Sequence, residues 1–422
     1  MTARLHRLSN GVRVVCDPIA GLESAALSVV VRGGARWEAP HHSGWSHLLE
    51  HMVFKGAGYR SAREIVEAIE AAGGQINAAT GYERTSYQVR CLAGGLPLAI
   101  EIGADLVRHP TLDASDLQRE IAVIGQEIAE AADTPDDRVF DLAQSRAFAD
   151  QSLGRPILGS PESIGTATVA DLGRFHRALY APERMVVAAA GAVDEDELLA
   201  LAERHFGAAA APTERLPDPG PAAFGGGDLH ETRRLEQAQL VVLLPGGGAR
   251  DPDYFALRLF AEILGGGMSS RLFQEAREER GLAYNIDAYA ETYEDVGVLG
   301  IYAGCAAADA AETAAVAARE TVKLAASVLP HELARAKAQA KAHLFMSREA
   351  PLSRAEQAAG QVLLFGRPFE PAELAESIDA VQAVDLARVG ERALGSGEAV
   401  VAVLGPKRAA SAAKAFRTAL SH

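Results

Sequence analysis

LSVVVRGGAR, Leu27 to Arg36, and LVVLLPGGGAR, Leu240 to Arg250, are two versions of one pattern: an apolar run that opens into a glycine turn and an arginine. Arg36 and Arg250 lie 214 residues apart. The same offset separates Glu162, which begins ESIGTATVADL, from Glu376, which begins ESIDAVQAVDL. It recurs between Gly191, the end of MVVAAAG, and Gly405, the end of AVVAVLG. One such match would be chance. A constant offset at both ends of the pattern means a tandem duplication.

Between the copies lies GAAAAPTERLPDPGPAAFGGG, Gly207 to Gly227, with four prolines and no periodic apolar face. The expected division is therefore a domain at 1–207, a Pro/Gly-rich linker at 208–227 and a homologous domain at 228–422. Each copy mixes short β-branched runs (Val12–Cys16, Leu27–Val31, Thr85–Leu92, Val186–Ala190) with longer amphipathic stretches. Glu120–Ala132 and Glu332–Arg348 read as helices by period and by their Ala, Glu, Lys and Leu content. Strands do not alternate strictly with helices, and Thr85–Leu92 follows a glycine turn as in a hairpin. This pattern predicts an α+β fold: two similar halves, each with a mostly antiparallel sheet and helices packed on one face, rather than a doubly wound sheet.

The 422 residues are 48% hydrophobic, enough for two cored domains and too apolar for disorder. A net charge of −15 excludes the basic footprint of a nucleic-acid binder. The three cysteines, Cys16, Cys91 and Cys305, are widely spaced and form no CxxC, as expected of reduced thiols. The opening MTARLHRLSNGVRVVCDP has no apolar core of a signal peptide, and no uncharged run is long enough to span a bilayer. A cytoplasmic, membrane-free protein is the expectation.

Chemistry concentrates in HSGWSHLLEHMVFKG, His42 to Gly56. On a helix, residues three and four apart share a face, so His47, Glu50 and His51 point the same way. Two neutral imidazoles on successive turns can bind one Zn²⁺, with Glu50 beside the ion rather than on it. Catalysis needs a third protein ligand and an open position, where a water is acidified and a glutamate can take its proton. REIAVIGQEIAEAADTPDD supplies candidates for that ligand. Glu120 and Glu127 lie seven apart, within about 20° on one helical face. Spacing alone does not choose between Glu120, Glu127 and Glu130.

The bland alternative is a buried helix that happens to carry two histidines. Against it stands the cost of burying two imidazoles and a carboxylate among Trp45, Leu48, Leu49, Met52, Val53 and Phe54 without a metal. The duplication is an internal control. At the 214-residue offset His47, Glu50 and His51 fall on Ala261, Leu264 and Gly265, and Glu127 falls on Lys341. The fold can evidently be built without these polar groups. The Gly-rich GGGAR and GGGMSS stretches lack the Lys-Ser/Thr ending of a phosphate loop and read as turns.

HLLEH followed 76 residues after His51 by Glu127 resembles the inverted zinc motif of the pitrilysin-like metallopeptidases, the inverzincins. More narrowly, the chain is similar to the branch that holds the mitochondrial processing peptidase β-subunit and its two-domain bacterial relatives. LSNGVRVV, GWSHLLEHMVFKG, SSRLFQEAREERGLAY and FGRPFEP extend the likeness over nearly the whole chain. The resemblance implies the metallohydrolase fold shared by LuxS and the processing peptidases. It implies one Zn²⁺ per chain held by His47, His51 and Glu127, with Glu50 as general base and Glu120 supporting the centre from behind. In GGQINAATGYERTSY it implies that Asn77 and Ala78 contact an extended peptide added to a sheet edge. In REERGLAY it implies that Arg277 and Tyr284 hold substrate and stabilise the oxyanion, reaching another chain's zinc in a homodimer or in a heterodimer with a related subunit. The implied activity is cleavage of unfolded peptides or presequence-like targeting segments. The rival reading is a non-catalytic or heterodimer-dependent subunit that serves as a binding scaffold.

Overall fold

The computed structural model describes residues 3–208 and 215–421; residues 209–214 of the expected linker at 208–227 lie outside the described residues. The chain forms two compact units. Unit 1 comprises Met1–Ile128, Pro156–Pro219 and Leu344–Glu373; unit 2 comprises Ala129–Arg155, Gly220–His343 and Leu374–His422. These units do not follow the sequence division at 207 and 228, because each also holds segments from the other half.

In unit 1, strands β1 (Arg4–Arg7), β2 (Arg13–Pro18), β3 (Ser24–Arg32), β6 (Gln75–Thr80), β7 (Arg84–Leu92) and β8 (Met185–Gly191) form one sheet in the order β1-β2-β8-β3-β7-β6. Only β2 and β8 pair in parallel. The short strands β4 (Gly56–Ala57) and β5 (Arg60–Ser61) pair separately. The helices are α1 (Trp45–Val53), α2 (Ala62–Ala71), α3 (Leu96–Arg108), the larger part of α4 (Ala114–Asp133), α6 (Pro161–Gly165), α7 (Val169–Leu179) and α8 (Glu195–Phe206). They share one core with the inner face of the sheet, where Val14, Leu27, Val29, Val31, Val187 and Ala189 are excluded from solvent.

Unit 2 repeats the plan. Strands β9 (Gly227–Thr232), β10 (Gln237–Gly247), β11 (Ala283–Thr292), β12 (Val296–Ala306) and β13 (Val400–Gly405) lie in the order β11-β12-β10-β13-β9. This is the order β6-β7-β3-β8-β2 of unit 1, and β2 and β9 are related by the same 214-residue offset. The lone parallel pair recurs as β13 with β9. Helices α9 (Tyr254–Gly265), α10 (Ala310–Ala326), α11 (Pro330–Met346), α13 (Pro371–Ala380), α14 (Ala383–Gly395) and α15 (Ser411–Leu420) complete the order, with α11 and α13 each crossing a unit boundary.

In unit 1 the helices named so far share the core on one face, as expected, but the second face is also covered, and each sheet has one exchanged helix packed on it. In unit 1 this is α12 (Pro351–Phe365), from the second half of the sequence. Its Ala355, Ala358, Ala359 and Val362 pack on Val15, Val30, Val186, Ala188 and Ala190. Alanine against alanine lets the helix lie close to the sheet. Burial on both faces is why β3 and β8 read as continuous apolar runs rather than alternating ones. In unit 2 the counterpart is α5 (Pro135–Ala147), from the first half, against β9, β10 and β13. Ion pairs anchor both. Arg354 forks onto the buried Asp17 of β2, and Arg138 donates to Glu231 of β9, which is Asp17's equivalent at the 214-residue offset. Among the described residues, no helix is long and apolar enough to cross a membrane.

Behind the inner core of unit 1, His176 of α7 is 7% exposed and donates from Nε2 to the Val107 carbonyl at 2.9 Å. Burial pushes its imidazole down from 6.5 to about 4. The folded pKa lies below the unfolded one, so as pH falls from 6.5 the unfolded chain takes the proton first and stability drains away until about pH 4. The loss is on the order of 3 kcal/mol. Urea unfolding of metal-free protein at pH 6.5 and pH 4 should show a pH dependence smaller by this amount in His176→Gln, whose amide can still donate to Val107. An unchanged dependence would contradict the assignment.

Candidate metal centre

The site is built on α1, and α1 is placed by its apolar side. Leu48, Leu49, Met52 and Val53 are all fully excluded from solvent. At roughly 2 kcal/mol each, their burial outweighs the cost of holding three polar side chains on the other face. The helix entry is tightly specified. Gly44 precedes it at φ +88°, and a Cβ there would come within 2.6 Å of the Leu158 carbonyl oxygen. The first turn has no capping side chain of its own. Instead the buried carboxylate of Glu38 accepts from the backbone N–H groups of Gly44 at 2.9 Å and Ser46 at 2.6 Å, satisfying two of the free donors.

The polar face of α1 meets α4. His47 Nε2 lies 3.9 Å and His51 Nε2 3.7 Å from the same oxygen, Oε2 of Glu127, and the two imidazoles stand edge to face at 4.6 Å. These three ligand atoms all fall within 4.8 Å of one another and form a group that could hold a metal ion. The separations are too long for hydrogen bonds and suit three donors around a common centre. Glu120, two turns earlier on α4, is buried and faces the other side of His51, with Oε2 3.0 Å from Nδ1. An ionised carboxylate only accepts, so His51 carries its proton on Nδ1 and turns the Nε2 lone pair toward Glu127. Glu130 is exposed and outside the group.

Electrostatics also fit a metal. Burial, aided by the neighbouring His51, pushes His47 down to about 4, so its ring is neutral near pH 7, as a ligand must be. Its Nδ1 is buried without a partner. Burial raises the Glu50 carboxyl, opposed by hydrogen bonding to Thr80 and by the nearby His51. Glu50 Oε2 is buried and unpartnered, leaving it open to accept a proton.

Thr80 ends β6, the edge strand of the unit 1 sheet. Asn77 and Ala78 lie on this strand, opposite Gln88 and Tyr87 of β7. Ala78 turns inward against the core, and Asn77 is exposed. Among the described residues, no strand pairs with the other edge of β6. The structure thus brings His47, Glu50, His51, Glu120 and Glu127 together, with Asn77 and Ala78 on the edge strand whose end meets Glu50.

Arg277 and Tyr284 belong to unit 2. Arg277 sits in a π-helical segment, Phe273–Glu279, with its guanidinium 4.7 Å from the Phe273 ring centroid and 5.1 Å from that of Tyr284. Tyr284 is 73% exposed near the start of the edge strand β11. Sequence reasoning paired these two residues but missed Glu38, which binds the entrance of α1, Thr80, which binds Glu50, and Lys55, which pairs with Glu120. Lys55 alone left a trace, four residues after His51. Glu38 and Thr80 reach the site through loop and strand geometry that no spacing encodes.

Two family models match the chain. The one described as Insulinase (Peptidase family M16) covers residues 13–161, and the one described as Peptidase M16 inactive domain covers residues 166–340. A Rickettsia bellii protein named "Uncharacterized zinc protease" is 35% identical over 403 residues, spanning 95% of this chain and 97% of that one. A solved protease from Helicobacter pylori has the same fold, with a TM-score of 0.89 at 22% identity over 96% of this chain and 99% of the other. A chain of complex III2 from Candida albicans also shares the fold, with a TM-score of 0.85 at 22% identity over 99% and 100% of the two chains. The five clustered residues fall in the first matched stretch, and Arg277 and Tyr284 fall in the second.

Titrating metal-free protein with Zn²⁺ should load about one ion per chain and raise the thermal midpoint by mass action. His51→Ala removes one converging nitrogen and should load none at the same concentration. Undiminished loading in that variant would put the ion elsewhere.

Proposed function

The chain belongs to peptidase family M16, and from that premise we propose that it is a zinc-dependent endopeptidase acting on extended peptides. The observation that carries this reading is the convergence of His47, His51 and Glu127, with the unpartnered Oε2 of Glu50 on the same face of α1 as the two histidines.

In this reading His47 Nε2, His51 Nε2 and Glu127 Oε2 hold the ion. Zinc supplies a Lewis acid that acidifies a water and polarises a scissile carbonyl. Glu50 takes the proton of the attacking water on its carboxylate and delivers it to the leaving amine nitrogen. Its burial, which favours the protonated form, suits a group that must both accept and release a proton. The substrate adds as a strand to the free edge of β6, gaining backbone hydrogen bonds beside Asn77 and Ala78. That mode requires an extended segment, so unfolded peptides or presequence-like targeting segments fit better than folded domains. Arg277 and Tyr284 present an exposed phenol stacked on a guanidinium. We assign them to oxyanion and substrate contacts on a second chain, in a homodimer or a heterodimer with a related subunit.

A scaffold role is the rival, prompted by the inactive-domain match of the second half. The first half carries the complete donor set, which argues for catalysis. Glu50→Gln should keep its zinc and lose cleavage of a quenched peptide by about a thousandfold. Equal turnover by wild type and Glu50→Gln would remove Glu50 from its role, and turnover by neither would favour the scaffold. Mixing Glu50→Gln with Tyr284→Phe chains should restore part of the activity if the phenol acts across chains. No gain on mixing would confine it to its own chain.

A further inference from the structure

Glu120 touches two side chains, not one. Its Oε2 is 3.0 Å from His51 Nδ1, and its Oε1 is 2.7 Å from Lys55 Nζ. The carboxylate is 6% exposed, whereas Lys55, in the turn after α1, reaches it from a third-exposed position. The ammonium is a point donor that can satisfy one oxygen and leave the other.

Unit 2 also has an ion pair between the segment after α9 and the helix α11, at other positions, since Lys55 and Glu120 fall on Ser269 and Ala334 at the 214-residue offset. There the cation is an arginine. Arg271 donates from Nε to Glu332 Oε1 at 2.8 Å and from Nη2 to Oε2 at 2.6 Å, and the Leu329 N–H also binds Oε2. Both carboxylate oxygens are consumed, and the position of His51 falls on Gly265 in that copy. Each unit thus has an ion pair between these two elements. Only in unit 1 is it made by a residue that frees one oxygen.

We propose that Lys55 is a positioning residue of the metal centre: by engaging one oxygen of Glu120 it presents the other to His51 Nδ1 and holds the ring with Nε2 toward Glu127. Without the ammonium, the Glu120 carboxylate is free to rotate and both oxygens compete for the ring. With a guanidinium in its place, the fork draws both oxygens away. The inference rests on the reading of His47, His51 and Glu127 as ligands.

The test is competition between metal-free full-length protein and a chromophoric chelator for Zn²⁺, with thermal melts of the metal-free forms alongside. Wild type is the control for the centre itself: if it takes no zinc, the ligand reading fails before Lys55 is at issue. Given wild-type binding, Lys55→Met should weaken affinity roughly tenfold. Glu120→Gln should weaken it at least as much, and the double variant should bind no worse than Glu120→Gln alone, because Lys55 acts through Glu120. Wild-type affinity in Lys55→Met, or losses that multiply in the double variant, would overturn the proposal. So would a lowered metal-free melting point with affinity unchanged, the signature of a merely structural tie. Should Lys55→Met fail to fold, Lys55→Arg carries the test: it keeps the charge and should still bind zinc more weakly than wild type. Wild-type affinity in that variant would overturn the one-oxygen argument.

Discussion

The burial of Leu48, Leu49, Met52 and Val53 is the constraint on which the centre depends. These side chains lock the rotation of α1 about its own axis, so His47, Glu50 and His51 have one direction left to face. Glu38 at the helix entrance and the Glu120–Lys55 contact at its exit oppose sliding along the axis. A helix fixed in both senses can hold two nitrogens within about 4 Å of a carboxylate oxygen on another helix without a hydrogen bond to draw them together. That pre-organisation is what a metal centre asks of a protein, and here hydrophobic packing supplies it.

The second constraint is the exchange of α5 and α12. A sheet apolar on both faces cannot be left bare on one side, and neither half of the chain covers its own second face. Each borrows the equivalent helix of the other half, and each borrowed helix is anchored by an arginine to a carboxylate at the equivalent strand position, Asp17 or Glu231. Among the described residues, no strand pairs with the outer edge of β6, whose end meets the site. An unpaired edge is a hazard for aggregation unless it has a use, and a peptide that docks there as an added strand would give it one.

Comparing the copies separates what the fold needs from what the chemistry needs. Among the described residues, strand order, a single parallel pair in each main sheet and an ion pair between the corresponding elements, though at different positions, occur in both. The histidines, Glu50, Glu127 and the lysine form of that ion pair occur once. A buried cluster of ionisable groups costs stability when unpaired, and unit 2 does without it, with Ala261, Leu264 and Gly265 in its place.

Much of this was legible in the sequence. The 214-residue offset gave the duplicated fold, because repeated strands and turns leave repeated patterns in any register-preserving copy. Helical spacing put His47, Glu50 and His51 on one face, because 3.6 residues per turn is a local property. What spacing could not decide was which glutamate meets them: Glu120 and Glu127 sit on the same face of α4, and the height at which α4 crosses α1 determines which reaches Nε2 and which reaches Nδ1. The borrowed helices escaped notice for a similar reason. Ala355 and Ala358 look like ordinary helix residues, and only contacts far apart in sequence reveal whose sheet they cover. The sequence by itself determined the repeat, the elements and the candidate donors. The tertiary structure alone decided which carboxylate faces which nitrogen, the exchange of helices and the placement of Glu38, Thr80 and Lys55, because these depend on distances between elements that no local periodicity records.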